Sequence, residues 1–238
     1  QKLYVAVDSA DSLENEIGHL DRQRQNDIPT PQMIERVRLD GIGGAGEKAV
    51  HQGVAVGVWP LDPPYLDDFL AGLATSKDIT TNPDCVSPVR LLLLDQVSDP
   101  RNVGAIMRSA RAFGVAGLIT TFRNAAEENG VLARTASGAL DHVPLIRVVN
   151  LARAIEQLQD NRFLVAGLAG EGDVEVGALA AHQRLAIMLG AEGNGLRRLS
   201  RDHCDMLARI NINDDAESLN VSNAAAIALY AASLYQAD

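Results

Sequence analysis

The chain is short of cysteine, of basic charge and of long apolar runs, and each shortage removes a class of protein. Two thiols in 238 residues, Cys85 and Cys204, are too few for a disulfide scaffold, so a reducing compartment, the cytoplasm, is the default expectation. No apolar run approaches the roughly 18 residues of a membrane span. The longest aliphatic stretch, Val89 to Leu94, is broken by Arg90 and suits a buried strand in a soluble protein. Basic residues number 21 against 31 acidic, a formal net charge of -10, whereas a generic phosphate binder usually carries a basic excess. Location softens this last exclusion. Every basic residue beyond position 80 is Arg, the planar fork suited to bidentate phosphate contacts, although genome composition accounts for the same bias equally well. Net charge therefore leaves RNA binding open.

What is present describes a globular chain. A composition of 47% hydrophobic and 22% charged residues buries a real core and excludes disordered, collagen-like and coiled-coil architectures. Periodicity weakens between Lys77 and Pro88, a stretch carrying Asp, Thr, Asn, two Pro and Ser, and a domain boundary is expected there. Residues 1–80 read as a small α/β domain: a strand from Leu3 to Val7, helices from Ser12 to Gln25 and from Pro31 to Val37, a Gly-rich loop and a strand from Val54 to Val58. The remainder, 86–238, alternates strands at Val89–Asp95, Val115–Thr120, Phe163–Gly167, Leu185–Leu189 and Met206–Ile210 with helices at Val103–Phe113, Ala126–Ala133, Leu151–Gln159 and Ser218–Tyr235. Such alternation predicts a parallel sheet covered on both faces. The chain opens on Gln1 and enters a strand-like run at once, so further residues are expected upstream.

Four segments carry candidate chemistry. Gly41-Ile42-Gly43-Gly44-Ala45-Gly46 spells a dinucleotide-binding pattern, but a long helix should follow the glycines and here a β-branched run begins at Val54, which favours a flexible loop. The strand ending at Asp95 feeds a polar loop and a helix containing Asn102 and Arg108. Asn102 reads equally as a helix N-cap, and Arg108, flanked by Ile106 and Met107, must leave the core or find a partner. The strand ending at Leu189 feeds Gly190-Ala191-Glu192-Gly193-Asn194-Gly195, where glycines let the backbone approach a ligand and Glu192 can bond hydroxyl or amine groups. The last strand runs through Ile210 to Asp215 into Ser218-Leu219-Asn220-Val221-Ser222, with Ser218 a candidate cap. Three polar loops, each at the carboxyl end of an expected strand, point to one composite site.

Together these loops resemble the three motifs of the SpoU-like branch of the knotted (SPOUT) RNA ribose 2'-O-methyltransferases: Asn102 and Gly104 with Arg108, the run Gly190 to Leu196, and Ser218-Leu219-Asn220-Val221-Ser222. His51-Gln52-Gly53-Val54-Ala55 also resembles the element closing the ribosomal-protein-like RNA-binding domain of the bacterial 23S rRNA guanosine subgroup. The resemblance implies a trefoil knot, a homodimer, RNA as partner (rRNA ahead of tRNA), no metal, and S-adenosylmethionine held by backbone groups of Gly190, Ile210 and Leu219. It further implies a polar catalytic cluster of Arg108, Asn102, Glu192, Ser218 and Asn220. In that cluster Arg108 with Ser218 would clamp a phosphate and stabilise an alkoxide, Asn102 and Glu192 would orient the ribose, and Asn220 would brace the loop. A guanidinium does not deprotonate in proteins, so Arg108 is not the base, and the proton acceptor stays open. Two departures stand out: Ile210-Asn211-Ile212-Asn213-Asp214 replaces Ile-Pro-Met-x-Gly, and Asn194 sits where an acid is common. The first predicts a loop that is costlier to order around the cofactor, and it keeps open a noncatalytic RNA-binding protein of the same fold.

Overall fold

The computed structural model describes residues 2–18, 28–34, 53–57, 62–75, 88–213 and 215–234, which form two compact units meeting in sequence at Leu61 and Asp62. The first unit holds strand β1 (Lys2–Ala6), helix α1 (Ala10–Gly18), and strands β2 (Pro31–Ile34) and β3 (Val54–Gly57). β1 is central, parallel to β2 and antiparallel to β3. Here the expected helix at Pro31–Val37 is corrected to a strand over Pro31–Ile34, its remaining residues lying outside the described ones. Proline is tolerated as the first residue of an edge strand, and pairing with β1 supplies the ladder that local pattern does not reveal. The glycine run Gly41 to Gly46 and the pair His51-Gln52 lie outside the described residues, as does the expected helix beyond Gly18 up to Gln25.

The second unit is a seven-stranded, all-parallel sheet in the order β6-β5-β4-β9-β7-β10-β8. Its strands are β4 (Val89–Asp95), β5 (Gly117–Thr121), β6 (Leu145–Val148), β7 (Leu164–Leu168), β8 (Val174–Glu175), β9 (Arg184–Gly190) and β10 (Met206–Arg209). Helices α2 (Leu66–Thr75), α3 (Pro100–Ala112), α4 (Gly130–Ala136), α5 (Leu151–Asp160), α6 (Arg198–Asp202) and α7 (Val221–Ser233) pack around it. Parallel strands covered on both faces read as continuous apolar runs, and β4 shows how one run serves two cores. Its alternate residues point to opposite sides: Leu92 and Leu94 join the core under α3 and α7, whereas Leu91 and Leu93 join the core under α2 and α5. The central strand β9 divides likewise, with Ile187 and Leu189 on the first side and Ala186 and Met188 on the second.

Two features shift sequence-based boundaries. Helix α2 belongs to the larger unit, because Leu66 and Leu70 are buried beside Leu91 and Leu93, so the division falls before it and not at the polar stretch after it. The helix expected at Ala126–Ala133 starts instead at Gly130, where the side chain of Asn129 accepts from the amides of Val131 (3.0 Å) and Leu132 (3.2 Å).

Candidate functional site

β4 and β9 are paired neighbours at the middle of the sheet, and the loops leaving their carboxyl ends flank the crevice where open α/β sheets bind ligands. After β4, Asp99 caps α3: its side chain accepts from the Arg101 amide at 2.8 Å, and Pro100 occupies the first helical position. The capping role considered for Asn102 therefore falls to Asp99, and Asn102 is the third residue of the helix with its side chain not engaged in the cap. After β9, Ala191 and Gly195 form a backbone bridge that folds the loop back on itself. A Cβ on Gly190 would overlap the Gly195 carbonyl group, so the fold admits only glycine there. Before α7, the cap is Asn220 and not Ser218: the Asn220 Oδ1 accepts from the amides of Ser222 (2.9 Å) and Asn223 (3.4 Å) and from the Ser222 hydroxyl (2.6 Å).

The Asn220 amide nitrogen joins the three loops. It donates to Asn102 Oδ1 at 3.0 Å and to Glu192 Oε1 at 2.5 Å, while its oxygen holds the start of α7. One side chain thus fixes the orientation of an amide from α3 and a carboxylate from the β9 loop. Beneath them lies a residue that sequence reading passed over. Asp95 ends β4 fully buried and accepts from Arg197 through its Nε (2.6 Å) and its backbone amide (3.0 Å), tying the far end of the glycine loop to the sheet. The available signal was a carboxylate closing an aliphatic run, since a buried charge must find a partner.

Two clefts meet at this junction and share Ala191, Glu192, Asn194 and Val221. The first, about 540 Å³, is lined by Gly190, Ile210, Ser218 and Leu219 among others. The second, about 530 Å³, runs under Gln96, Asn102 and Asn124. Both volumes fall in the range of small-molecule sites. Among the described residues, neither Ile210 nor Leu219 uses its backbone groups in a hydrogen bond, which leaves amides and carbonyls on the wall of the first cleft. Apolar Leu196, Ile210 and Ile212 line the same wall. Of the sequence-derived candidates, Asn102, Glu192 and Asn220 are brought into contact, and Gly190, Ile210, Ser218 and Leu219 line the first cleft. Arg108 stands apart. It is exposed on α3, six residues and about 9 Å along the axis from Asn102, lines neither cleft, and pairs with no described residue.

Other chemistries find less support here. Burial, then the nearby Asp205 and Asp95 carboxylates, push the Cys204 thiol up to about 12, and its sulfur donates to the Ser200 carbonyl, so it is no nucleophile. Among the described residues no three His, Cys, Asp or Glu side chains cluster as metal ligands, and no helix is long and apolar enough to cross a membrane.

Residues 90–230 match the SpoU rRNA Methylase family. The chain belongs to that family. Among its SpoU relatives, the 23S rRNA (guanosine-2'-O-)-methyltransferase RlmB of Xylella fastidiosa is 40% identical over 205 residues, covering 84% of this chain and 76% of the relative. The RlmB of Escherichia coli K12 is 42% identical over 201 residues, covering 84% and 77%. In three dimensions the SpoU methyltransferase AviRb from Streptomyces viridochromogenes, solved with the cofactor AdoMet, superposes with a TM-score of 0.67 at 24% identity, covering 98% of this chain and 82% of that one.

Proposed function

We propose that this SpoU-family chain transfers a methyl group from S-adenosylmethionine to the 2'-hydroxyl of a guanosine in 23S rRNA. The observation that carries the reading is the Asn220 amide, which couples Asn102 to Glu192 where the two clefts join. The names of the relatives supply the substrate class. The first cleft fits the cofactor: its volume suits a nucleoside-sized ligand, its wall offers the backbone groups of Gly190, Ile210 and Leu219, and its apolar side chains suit an adenine ring. Bound there, S-adenosylmethionine supplies an electrophilic sulfonium methyl group.

The chain's own residues then align and shield the nucleophile. In-line displacement demands that the ribose hydroxyl be held in a narrow range of position and angle. Asn220 occupies one face of Asn102 and one oxygen of Glu192, leaving the Asn102 amide nitrogen and the second Glu192 oxygen to hold the ribose. Ser218, on the first cleft, serves the developing alkoxide, and Arg108, outside both clefts, serves the backbone phosphate. An exposed guanidinium with no partner among the described residues is available for that contact. In this reading the polypeptide is knotted through β10 and α7. A homodimer is supported by α7, whose Ile227 and Tyr230, with Leu234 at its C-cap, fall on one face and remain exposed, with Phe113 packed edge-on against Tyr230 at 6.5 Å. Residues 1–61 select the RNA.

Incubating the full chain and labelled S-adenosylmethionine with 23S rRNA and with tRNA separately, then mapping the modified nucleotide, tests the reading. Label on a single guanosine ribose of 23S rRNA is expected. Label on tRNA alone would move the substrate, and label on neither would leave an RNA-binding protein that kept the fold.

A further inference from the structure

The second cleft is larger than a ribose requires, and its chemistry is specific. Among its described lining residues there is no Lys, Arg or His, while Asp99 and Glu192 contribute carboxylates. A phosphate placed there would meet negative charge with no counter-charge, so the occupant is an uncharged group with polar edges. Gln96 and Asn124 face this space from neighbouring positions in the sheet. Gln96 directly follows β4 and Asn124 lies three residues beyond β5, and β4 and β5 are hydrogen-bonded partners. Both hold a left-handed backbone, with φ of 61° and 56°. Asparagine enters that region readily but glutamine seldom does, so the surroundings hold Gln96 where it is. Neither side chain hydrogen-bonds to another described residue, in contrast to Asn102, which is engaged by Asn220.

Each free amide presents donors and an acceptor side by side, the pattern that complements the edge of a nucleobase. RNA readers work this way on bases that have left the helical stack. Resting on the reading of this chain as a ribose methyltransferase, we propose that the second cleft seats the base of the acceptor nucleotide. Gln96 and Asn124 read its edge, and the ribose lies at the junction held by Asn102 and Glu192. The catalytic cluster then sets where the methyl group goes on the sugar, and these two amides set which nucleotide is accepted.

The test combines binding with turnover. Isotope-labelled full-length protein loaded with S-adenosylhomocysteine is titrated with guanosine, adenosine, cytidine and uridine, and with ribose 5-phosphate as the phosphate-bearing control. One nucleoside is expected to shift the side-chain amide resonances of Gln96 and Asn124 at concentrations at least tenfold below the others, and ribose 5-phosphate to leave them unmoved. Asn124→Gly suits the positive φ and deletes the amide; Gln96→Glu keeps the shape and removes the donor. Each should erase the tenfold preference and raise KM for RNA about tenfold, with kcat and S-adenosylmethionine affinity within twofold of the parent. Resonances unmoved by every nucleoside, or a preference that survives both variants, would overturn the proposal. Nucleoside preference in a protein that methylates no RNA would leave the cleft assignment standing and sink the reading of the chain as a methyltransferase.

Discussion

Asn220 does two jobs that a single substitution can separate. Asn220→Asp keeps an oxygen to cap α7, and a carboxylate at a helix start is favourable, so the melting temperature should hold within a few degrees. The same change removes both donors and sets a second negative charge against Glu192, which now sits 2.5 Å from the amide. Methyl transfer should fall about 10- to 100-fold, since small misplacements of reacting groups cost that much; wild-type turnover in this variant would show the bridge to be ornamental. Arg108 offers a cleaner contrast, being exposed and without a partner among the described residues. Arg108→Ala should lower kcat/KM for RNA by roughly 10- to 100-fold, the worth of one charge-assisted phosphate contact, while leaving stability within about 0.5 kcal/mol and cofactor affinity unchanged. Arg108→Lys should fail similarly, because a point charge cannot reproduce a planar fork. Cys204 predicts an alkaline effect. Its thiol is raised in the folded state, so its contribution to stability is complete below the unfolded value near 9 and is lost as pH climbs towards about 12. In a Cys85→Ser background, Cys204 should resist thiol reagents at pH 8 and react only as the fold opens; fast labelling of the native protein at pH 8 would contradict the burial.

At the scale of elements, the loop after β10 is held by side chains. Its missing proline suggested a segment costly to order, but Asn211 is already anchored: its Oδ1 accepts from Arg209 Nε at 3.2 Å and its amide donates to Glu175 Oε1 at 2.9 Å. Arg209 in turn donates to the Gly172 carbonyl at 2.7 Å, and Asn213 closes a turn through the Ala216 amide. Asn211→Pro would add about 1 kcal/mol of chain stiffening and remove two side-chain hydrogen bonds of comparable worth at an exposed site. Calorimetry should therefore find S-adenosylmethionine affinity unchanged or several-fold weaker in Asn211→Pro, and clear tightening would mean the network does not organise the loop. The same scale explains which elements were legible. β4, β9 and α5 follow from apolar runs and periodicity strong enough to outweigh local noise. β2 and the two-residue β8 exist because of the strands they pair with, and no short window records a distant partner.

At the scale of the molecule, the position of α2 decides where the catalytic unit begins. Leu66 and Leu70 are buried against the sheet, and Phe69 fills the space beside Gly117. A fragment of residues 62–238 should fold and bind S-adenosylmethionine but lose selectivity for its RNA. A fragment beginning at 86 should be less stable by about 3–6 kcal/mol, the burial of two leucines, and expose an apolar face. Equal denaturation midpoints for the two fragments would remove α2 from the core. The sequence by itself determined a parallel sheet covered by helices and five of its seven strands, because these are written in short-range periodicity; β6 and β8 escaped it. Only the tertiary structure decided that Asn220 is the cap and the bridge, that Asp95 anchors the glycine loop, that Arg108 faces solvent, and that Gln96 and Asn124 share a cleft. The bridge from Asn220, the Asp95 anchor and the shared cleft each join positions separated by tens to more than a hundred residues, and such pairings are set by the crossing of strands through the sheet, which no local pattern encodes.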